Sequence, residues 1–335
     1  SMNDEMNAAI SEILATTGET YKGLAIAAGH IAGLFDIIKV DTPITVAEIA
    51  KRKDFDIDKL RRWVHFASGI NIISVDDKEG VTLTTKGLLL SPASPVKDVL
   101  AFVDGFKYLI KSADQAENTF KKSESLDKLS DGKISKDYQP KVSDNFSMSL
   151  IDHIKKLDLS DSDTLFDVGC GNGSLLRALS KAFPNNHLSG IDQNLFAIEK
   201  AKKENISLGL QERIKMLVGD IIEDLDDFPD NSQEWVLAIN VMHFVPPNKR
   251  DELIGNLARI ARKGVIFNLC LADANMIALT ANTMMSLMWN DFTGFYTESE
   301  AKEFFDKLTK KYKNLDIRTD QMMQGTSSLV TMLKK

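Results

Sequence analysis

From Asp163 onward, short apolar segments alternate with amphipathic helical segments, and this alternation restricts the fold more than any other feature of the chain. TLFDV (164–168) and HLSGID (187–192) are the first two strand-like segments. Strands separated by helices predict a parallel, doubly wound sheet. The last two strand-like segments, 312–320 and 327–335, are joined by too few residues for a parallel crossover. We therefore expect them to form an antiparallel pair, so that the sheet ends with a reversed strand.

The N-terminal part of the chain has a different pattern, with helical spacing and one short hairpin. Thr45 is predicted to cap one helix, and Asp56 or Asp58 the next. Residues 72–75 and 81–84 flank the charged turn DDKEG, which predicts a β-hairpin. The order helix, turn, helix, hairpin is that of a winged helix.

Charge and composition exclude several classes of protein. The net charge is −7, and residues 1–95 contain ten Lys or Arg against thirteen Asp or Glu, which disfavours a nucleic-acid partner for the winged helix. No apolar run is long enough to span a membrane. The two cysteines, Cys170 and Cys270, give no disulfide framework and suit a reducing cytoplasm. Residues 121–140 are polar, and we expect them to be mobile.

Three glycines follow the first strand of the alternating region, in FDVGCGNG (166–173). Gly169, Gly171 and Gly173 can adopt positive φ and allow backbone amides to approach a ligand closely. Their spacing, G-x-G-x-G, differs from the G-x-G-x-x-G of dinucleotide sites, which disfavours a nucleotide-dependent oxidoreductase. The loop therefore predicts a different ligand at the carboxyl end of the sheet.

Acidic residues follow the next two strands. Asp192 ends the second strand, where a carboxylate can accept both hydroxyls of a ribose. Asp220 follows the third strand in LVGDII, where it can accept from an adenine amino group while Ile221 packs on the ring. Together with the glycine loop, these acids predict a site for an adenosyl group.

The combination resembles the class I S-adenosylmethionine-dependent methyltransferases. Their pattern D-x-G-x-G-x-G, followed by an acid after the second strand and G-D after the third, is matched by Asp167, the three glycines, Asp192 and Asp220. The N-terminal part is similar to the dimerisation domain of plant and bacterial small-molecule O-methyltransferases. The resemblance implies an α/β fold with a Rossmann-like, seven-stranded sheet whose last strand is reversed, and an N-terminal, mostly helical winged-helix domain.

The resemblance also implies the domain organisation and the cofactor site. It predicts a winged-helix dimerisation domain at 1–97, connecting helices at 98–155 and a catalytic domain that binds S-adenosylmethionine at 156–335. Asp167 is expected to order the glycine loop or to meet the cofactor's ammonium group. The residues assigned to the cofactor are Asp167, Gly169, Gly171, Gly173, Asp192, Gln193, Asp220, Ile221 and Asn240.

His243 follows the fourth strand, where the resembling O-methyltransferases carry a histidine that removes the acceptor's proton. A structural role for this histidine stays open. The relatives place an acid two residues before the threonine that begins the late helix, whereas this chain has Phe295 before Thr297. Glu298 or Asp291 could substitute for that acid. Carbon and nitrogen acceptors therefore stay open beside oxygen.

Methionine and aromatic residues cluster between the fifth strand and the late helix. In the relatives this segment lines the acceptor pocket, and methionine suits a flat apolar ligand. The alternative is that these side chains belong to the core. The residues assigned to the acceptor are Met285, Met288, Trp289 and Phe292.

These observations predict a homodimeric, cytoplasmic methyltransferase that uses S-adenosylmethionine on a small aromatic or polyketide-like acceptor, with oxygen as the favoured atom. No metal site is expected, because the histidines lack Cys or acid neighbours at ligand spacing. A carbon or nitrogen methyltransferase of the same architecture is the alternative within enzymes. A winged-helix transcriptional regulator that senses the cofactor is the alternative from another class.

Overall fold

The computed structural model describes residues 1–138 and 143–335. The chain divides into two compact units, 1–107 and 108–335. This division falls inside a helix that spans Lys97–Asp114, later in the chain than the expected boundary at residue 97. Within the described residues, no helix combines the length and the apolar character needed to cross a bilayer.

The first unit contains short helices around a small antiparallel sheet. Its elements are α1 (Met2–Ile31), α2 (Leu34–Ile37), β1 (Ile44–Thr45), α3 (Val46–Lys53), α4 (Ile57–Gly69), β2 (Ile73–Val75), β3 (Gly80–Leu83) and α5 (Thr85–Leu89). The sheet order is β1-β3-β2, so the predicted hairpin is confirmed. Thr45 caps α3 by accepting from the Glu48 N–H, and Asp56, rather than Asp58, caps α4 by accepting from the Lys59 N–H.

The second unit is built on a seven-stranded sheet. Its elements, beginning with the helix that spans the division, are α6 (Lys97–Asp114), α7 (Ala116–Thr119), α8 (Leu126–Leu129), α9 (Lys133–Asp137), α10 (Asp144–Lys155), β4 (Thr164–Val168), α11 (Ser174–Ala182), β5 (His187–Asp192), α12 (Leu195–Ser207), β6 (Ile214–Val218), β7 (Gln233–Ala238), α13 (Arg250–Ile260), β8 (Ala261–Cys270), α14 (Met276–Met288), α15 (Glu298–Lys311), β9 (Leu315–Met322) and β10 (Ser327–Lys334).

The strand order is β6-β5-β4-β7-β8-β10-β9, and β10 pairs antiparallel with both of its neighbours. The predicted doubly wound sheet with a reversed last strand is therefore confirmed. The reversed strand lies one place in from the edge, because β9, its short-loop partner, occupies the edge itself. Buried strands such as β4 carry apolar side chains toward helices on both faces, which fixes the carboxyl ends of β4 to β7 at one edge of the sheet.

The polar segment 121–140 was expected to be mobile, and this expectation is wrong for its described part. Residues 126–137 fold into α8 and α9, which bury Leu126 and Ile134. Asp127 joins the two helices by accepting from the Ser135 N–H at 2.8 Å and from its hydroxyl at 2.6 Å. Two apolar residues and one internal hydrogen-bond pair are enough to order a segment whose composition is polar. Residues 139 and 140 lie outside the described residues.

Candidate active site

The glycine loop connects β4 to α11 in a backbone conformation that side chains disfavour. Gly169, Gly171 and Gly173 have φ values of 79°, 53° and 77°. A Cβ at Gly169 would meet the Val241 side chain at 2.5 Å, so glycine lets the loop pack against the residues that follow β7. A Cβ at Gly171 would meet nothing within 4 Å, because this part of the loop faces an open cavity.

Asp192, at the end of β5, is tied to the middle of the glycine loop. Its Oδ2 accepts from the Gly171 N–H and its Oδ1 from the Asn194 N–H, both at 2.8 Å. Burial raises the pKa of Asp192. Each carboxylate oxygen can accept more than one hydrogen bond, so both stay available to hydroxyl groups of a ligand.

Asp167, in the last turn of β4, is buried with an unsatisfied oxygen. Its residue is 2% exposed, and among the described residues no group donates a hydrogen bond to its Oδ1. Burial and the nearby charge of Asp192 raise the pKa of Asp167 well above its ordinary value. An unsatisfied buried carboxylate oxygen costs free energy, which a bound ammonium group would offset. The loop and its two acids therefore fit a ligand that has both hydroxyls and an ammonium group.

A cavity of about 1200 Å³ opens at the carboxyl ends of the strands. It brings together most of the residues singled out from the sequence: Asp167, Gly169, Gly171, Asp192, Gln193, Asp220, Ile221, Asn240, His243, Met285 and Trp289. Gly173, Met288 and Phe292 lie outside its lining. Gly173 packs near Ala201 and Met216, whereas Met288 and Phe292 are buried in an apolar cluster with Trp289.

A buried amide network behind the cavity was not predicted from the sequence. Asn240 has a φ of 56°, and its N–H donates to Asn268 Oδ1 at 2.7 Å. Asn268 Nδ2 donates to Asn240 Oδ1 at 2.8 Å and to Ser327 Oγ at 3.0 Å, and the Cys270 thiol donates to Asn240 Oδ1. Burial raises the pKa of Cys270 to about 12, so the thiol stays protonated and acts as a donor. The available signal was one asparagine inside the apolar strand GVIFNLC.

The segment after α8 also lines the cavity, which its polar composition did not indicate. Lys136 lies over the ring of Phe196, 5.3 Å from its centroid, and Asn194 Nδ2 donates to the Ser135 carbonyl at 2.8 Å. These contacts connect α9 to the start of α12. The lining residues from this segment are Asp131, Gly132, Lys133, Ser135, Lys136, Asp137 and Tyr138.

His243 lies just after β7, among aromatic rings. Its ring centroid is 4.8 Å from that of Phe244, 5.8 Å from Phe292 and 5.0 Å from Phe295, whose ring is nearly perpendicular to it. Burial, with a smaller contribution from the charge of Arg250, lowers the pKa of His243 to about 3. No described residue hydrogen-bonds to the imidazole. The imidazole is therefore neutral and able to accept a proton, but no acid orients it.

The two acids considered as substitutes are placed differently. Glu298 lies in the first turn of α15 and outside the cavity lining. Asp291 lines the cavity beside Trp289 and Phe295. In the described part of the chain, no group of three or more His, Cys, Asp or Glu residues is arranged to hold a metal ion.

The sheet order, the glycine loop and the acids at its rim define a class I methyltransferase fold, and the predicted resemblance is confirmed. A family model described as "Methyltransferase domain" matches residues 165–264. The sterol 24-C-methyltransferase ERG6A of Gibberella zeae is 30% identical over 112 residues, which are 33% of this chain and 28% of that protein. The chain thus spans less than a third of the length of this curated relative.

Three solved structures share the fold over almost the whole chain. An O-methyltransferase family protein from Burkholderia thailandensis has a TM-score of 0.78 at 13% identity, covering 97% of this chain and 98% of that one. Mitomycin 7-O-methyltransferase MmcR has a TM-score of 0.72 at 20% identity and 99% and 100% coverage. Human N-acetylserotonin methyltransferase, solved with S-adenosylmethionine, has a TM-score of 0.72 at 13% identity and 97% coverage of both chains.

Proposed function

We propose that this protein transfers a methyl group from S-adenosylmethionine to a small aromatic or polyketide-like acceptor, most favourably to oxygen. The observation that carries the proposal is the unsatisfied Asp167 Oδ1 beside Asp192 and the left-handed glycine loop. The matched methyltransferase domain and the O-methyltransferase folds support it.

The cofactor's adenosyl and amino acid parts fit the polar end of the cavity. Asp167 would accept from the ammonium group, which favours the charged carboxylate and offsets its burial. Asp192 would accept from the ribose hydroxyls while it holds Gly171. Asp220 and Ile221 would contact the adenine, since both line the cavity after β6. When bound, the cofactor supplies a methyl group on a positively charged sulfur, already activated toward a nucleophile.

The acceptor would occupy the aromatic end of the cavity. Met285 and Trp289 line it there, next to His243. His243 is neutral over the ordinary pH range and would accept the proton of an acceptor hydroxyl as the methyl group is transferred. Positioning of the two reactants and exclusion of water would contribute the larger part of the rate.

A carbon or nitrogen acceptor is the second candidate, and a specific contact favours it. Phe295 stands edge-on to the imidazole, at the place where the resembling O-methyltransferases carry an acid. Without that acid, an imidazole with a pKa of about 3 is a weak base for a hydroxyl. Nitrogen nucleophiles with a free lone pair need no such base.

We also propose that the first unit is a winged-helix domain through which two copies of the chain form a homodimer. Helix α1 exposes an apolar stripe at helical spacing: Met2, Met6, Ile10, Ile13 and Leu14. Such a stripe on a solvated helix favours a partner that covers it. Light scattering should give twice the monomer mass, and Ile10→Glu with Ile13→Glu should give the monomer. The two free cysteines agree with a reducing, cytoplasmic location.

The central proposal is tested by calorimetry and by methyl transfer. S-adenosylhomocysteine should bind the full chain, whereas NAD should not. Labelled S-adenosylmethionine incubated with pooled small phenols and amines should then yield methylated products whose mass identifies the modified atom class. Absence of affinity for S-adenosylhomocysteine would overturn the proposal, and a product methylated on carbon or nitrogen would favour the second candidate.

A further inference from the structure

The aromatic end of the cavity contains one carboxylate that the proposed cofactor contacts do not use. Asp291 follows α14, lines the cavity and is solvent-exposed. Among the described residues, no Lys, Arg or His pairs with it, and no side chain donates a hydrogen bond to it. Burial, and then the charges of Asp127 and Asp192, raise its pKa, so a cation at this place would be stabilised.

The side chains that line the cavity with Asp291 are mostly aromatic. The ring of Trp289 stacks on that of Tyr138, with centroids 6.1 Å apart and planes 8° apart. Phe244 stands edge-on to Trp289 at 6.3 Å. Aromatic faces beside a carboxylate are the combination that proteins use to hold a positively charged nitrogen. An uncharged flat acceptor would be served by the rings alone and would leave the carboxylate desolvated and unpaired.

The charge of the whole cavity points in the same direction. Its described lining contains six aspartates and two lysines, Lys133 and Lys136. Lys136 is directed to Phe196, where α9 meets the start of α12. The net negative lining opposes an acceptor that carries a carboxylate or a phosphate and favours a cation.

We propose that the acceptor of this protein is a small aromatic compound that carries a protonated amine, bound by Asp291 and by the rings of Trp289, Tyr138 and Phe244. This inference rests on the proposed function and names the class of its substrate. The ammonium group is a recognition element, and the methylated atom lies on the part of the acceptor next to His243. Asp291 is thus a specificity-determining residue.

The test is a calorimetric titration of the full chain saturated with S-adenosylhomocysteine. The probes are tyramine, tyrosol and 4-hydroxyphenylacetate, which carry an ammonium, a hydroxyl or a carboxylate group on the same phenol. The analogous 5-hydroxyindoles, with an ethylamine, an ethanol or an acetate side chain, form a larger second set. In at least one set the ammonium compound should bind about tenfold more tightly than the neutral one, with the anion weakest.

Substitutions assign the preference to one side chain. Asp291→Asn should reduce the preference for the ammonium compound to about threefold or less, because it removes the charge and keeps the shape. Asp273→Asn removes the same charge from an exposed turn outside the cavity lining and should keep the preference. Equal or tighter binding of the neutral or anionic compounds in both sets, or no measurable binding of either ammonium compound, would overturn the proposal.

Two comparisons separate this proposal from neighbouring explanations. If Asp291 served the sulfonium instead of the acceptor, Asp291→Asn would weaken S-adenosylmethionine but not S-adenosylhomocysteine, and the proposal would be overturned. We expect both affinities to stay within about twofold. If S-adenosylhomocysteine does not bind the unaltered chain, the proposed function fails, while titration of the same probes without it still decides the amine preference.

Discussion

Asp192 Oδ2 accepts a hydrogen bond from the Gly171 N–H at 2.8 Å, so the acid that ends β5 holds the loop that follows β4. The contact joins two features separated by about twenty residues in the sequence. One side chain therefore shapes the loop and faces the ligand.

Asp192→Ala should weaken S-adenosylhomocysteine binding by about 30-fold or more. Each charge-assisted hydrogen bond contributes about 1.5–3 kcal/mol, and the variant removes those to the ribose as well as the one to Gly171. Calorimetry measures the loss. Glu199→Ala, which removes an exposed acid from α12, is the control and should bind like the unaltered chain. Equal affinities for both variants would contradict the proposed placement of the ribose.

His243 should make the protein less stable in mild acid. Its pKa is about 3 in the folded chain and about 6.5 when unfolded, so the unfolded state binds the extra proton as the pH falls below about 6.5. The stability lost between pH 7 and pH 5 is about 2 kcal/mol from this group. His243→Phe should remove that share, as measured by urea unfolding at the two pH values.

The exposed His187 provides the control for this titration. His187→Gln should keep the pH dependence of the unaltered chain, because the side chain is solvated in both states. If His243→Phe shows the same loss between pH 7 and pH 5 as the unaltered chain, His243 is not buried in its neutral form.

Asn268→Leu should destabilise the fold and weaken the cofactor site together. The change leaves the Asn240 N–H and side chain without their partner, at a cost of about 2–3 kcal/mol in the free energy of unfolding. It also frees the left-handed Asn240 in the cavity wall, so S-adenosylhomocysteine affinity should fall severalfold. Denaturant unfolding and calorimetry measure the two effects.

Asn205→Leu is the matched control for this network. Asn205 is buried to the same degree as Asn268, at 1% exposure, but its Nδ2 has no partner among the described residues. It accepts only one long hydrogen bond from Arg177, at 3.4 Å. A larger loss of stability at Asn205 than at Asn268 would show that the amide network does not stabilise the site.

Asp163→Ala should be among the most destabilising changes outside the cavity. Its Oδ2 accepts from the Ser160 N–H, from Trp235 Nε1 and from Lys263 Nζ, at 3.0, 3.0 and 2.8 Å. Burial raises the pKa of Asp163, but the hydrogen bonds from Lys263, Ser160 and Trp235 outweigh this and lower the pKa to about 2. Removal leaves three donors unpaired, which should cost about 3 kcal/mol.

The contribution of Asp163 should also depend on pH in a defined direction. Because its pKa is lower in the folded chain than the ordinary 3.8, the stabilisation is complete above about pH 4 and is lost as the pH falls toward 2. Asp161→Ala, at an exposed position nearby, should change the free energy of unfolding by about 0.5 kcal/mol or less. Equal losses for the two variants would contradict the assigned network.

The sequence alone determined the sheet and the position of its ligand site. The period of apolar residues is a local property, and it predicted the strands from β4 to β8 with helices between them. The positive φ values of Gly169 and Gly171 follow from the same local chemistry, since other residues disfavour them. Parallel strands bring their carboxyl ends to one edge, so Asp192 and Asp220 could be placed together without coordinates.

Only the tertiary structure decided what surrounds those residues. The partner of Asn240 is Asn268 on another strand, and the segment that includes Ser135 reaches the start of α12, although neither contact has a local signal. The low pKa of His243 is set by rings that are distant in sequence, and the exposure of Asp291 to an aromatic cavity is set the same way. Burial and charge depend on how distant segments pack, which periodicity along the chain does not encode.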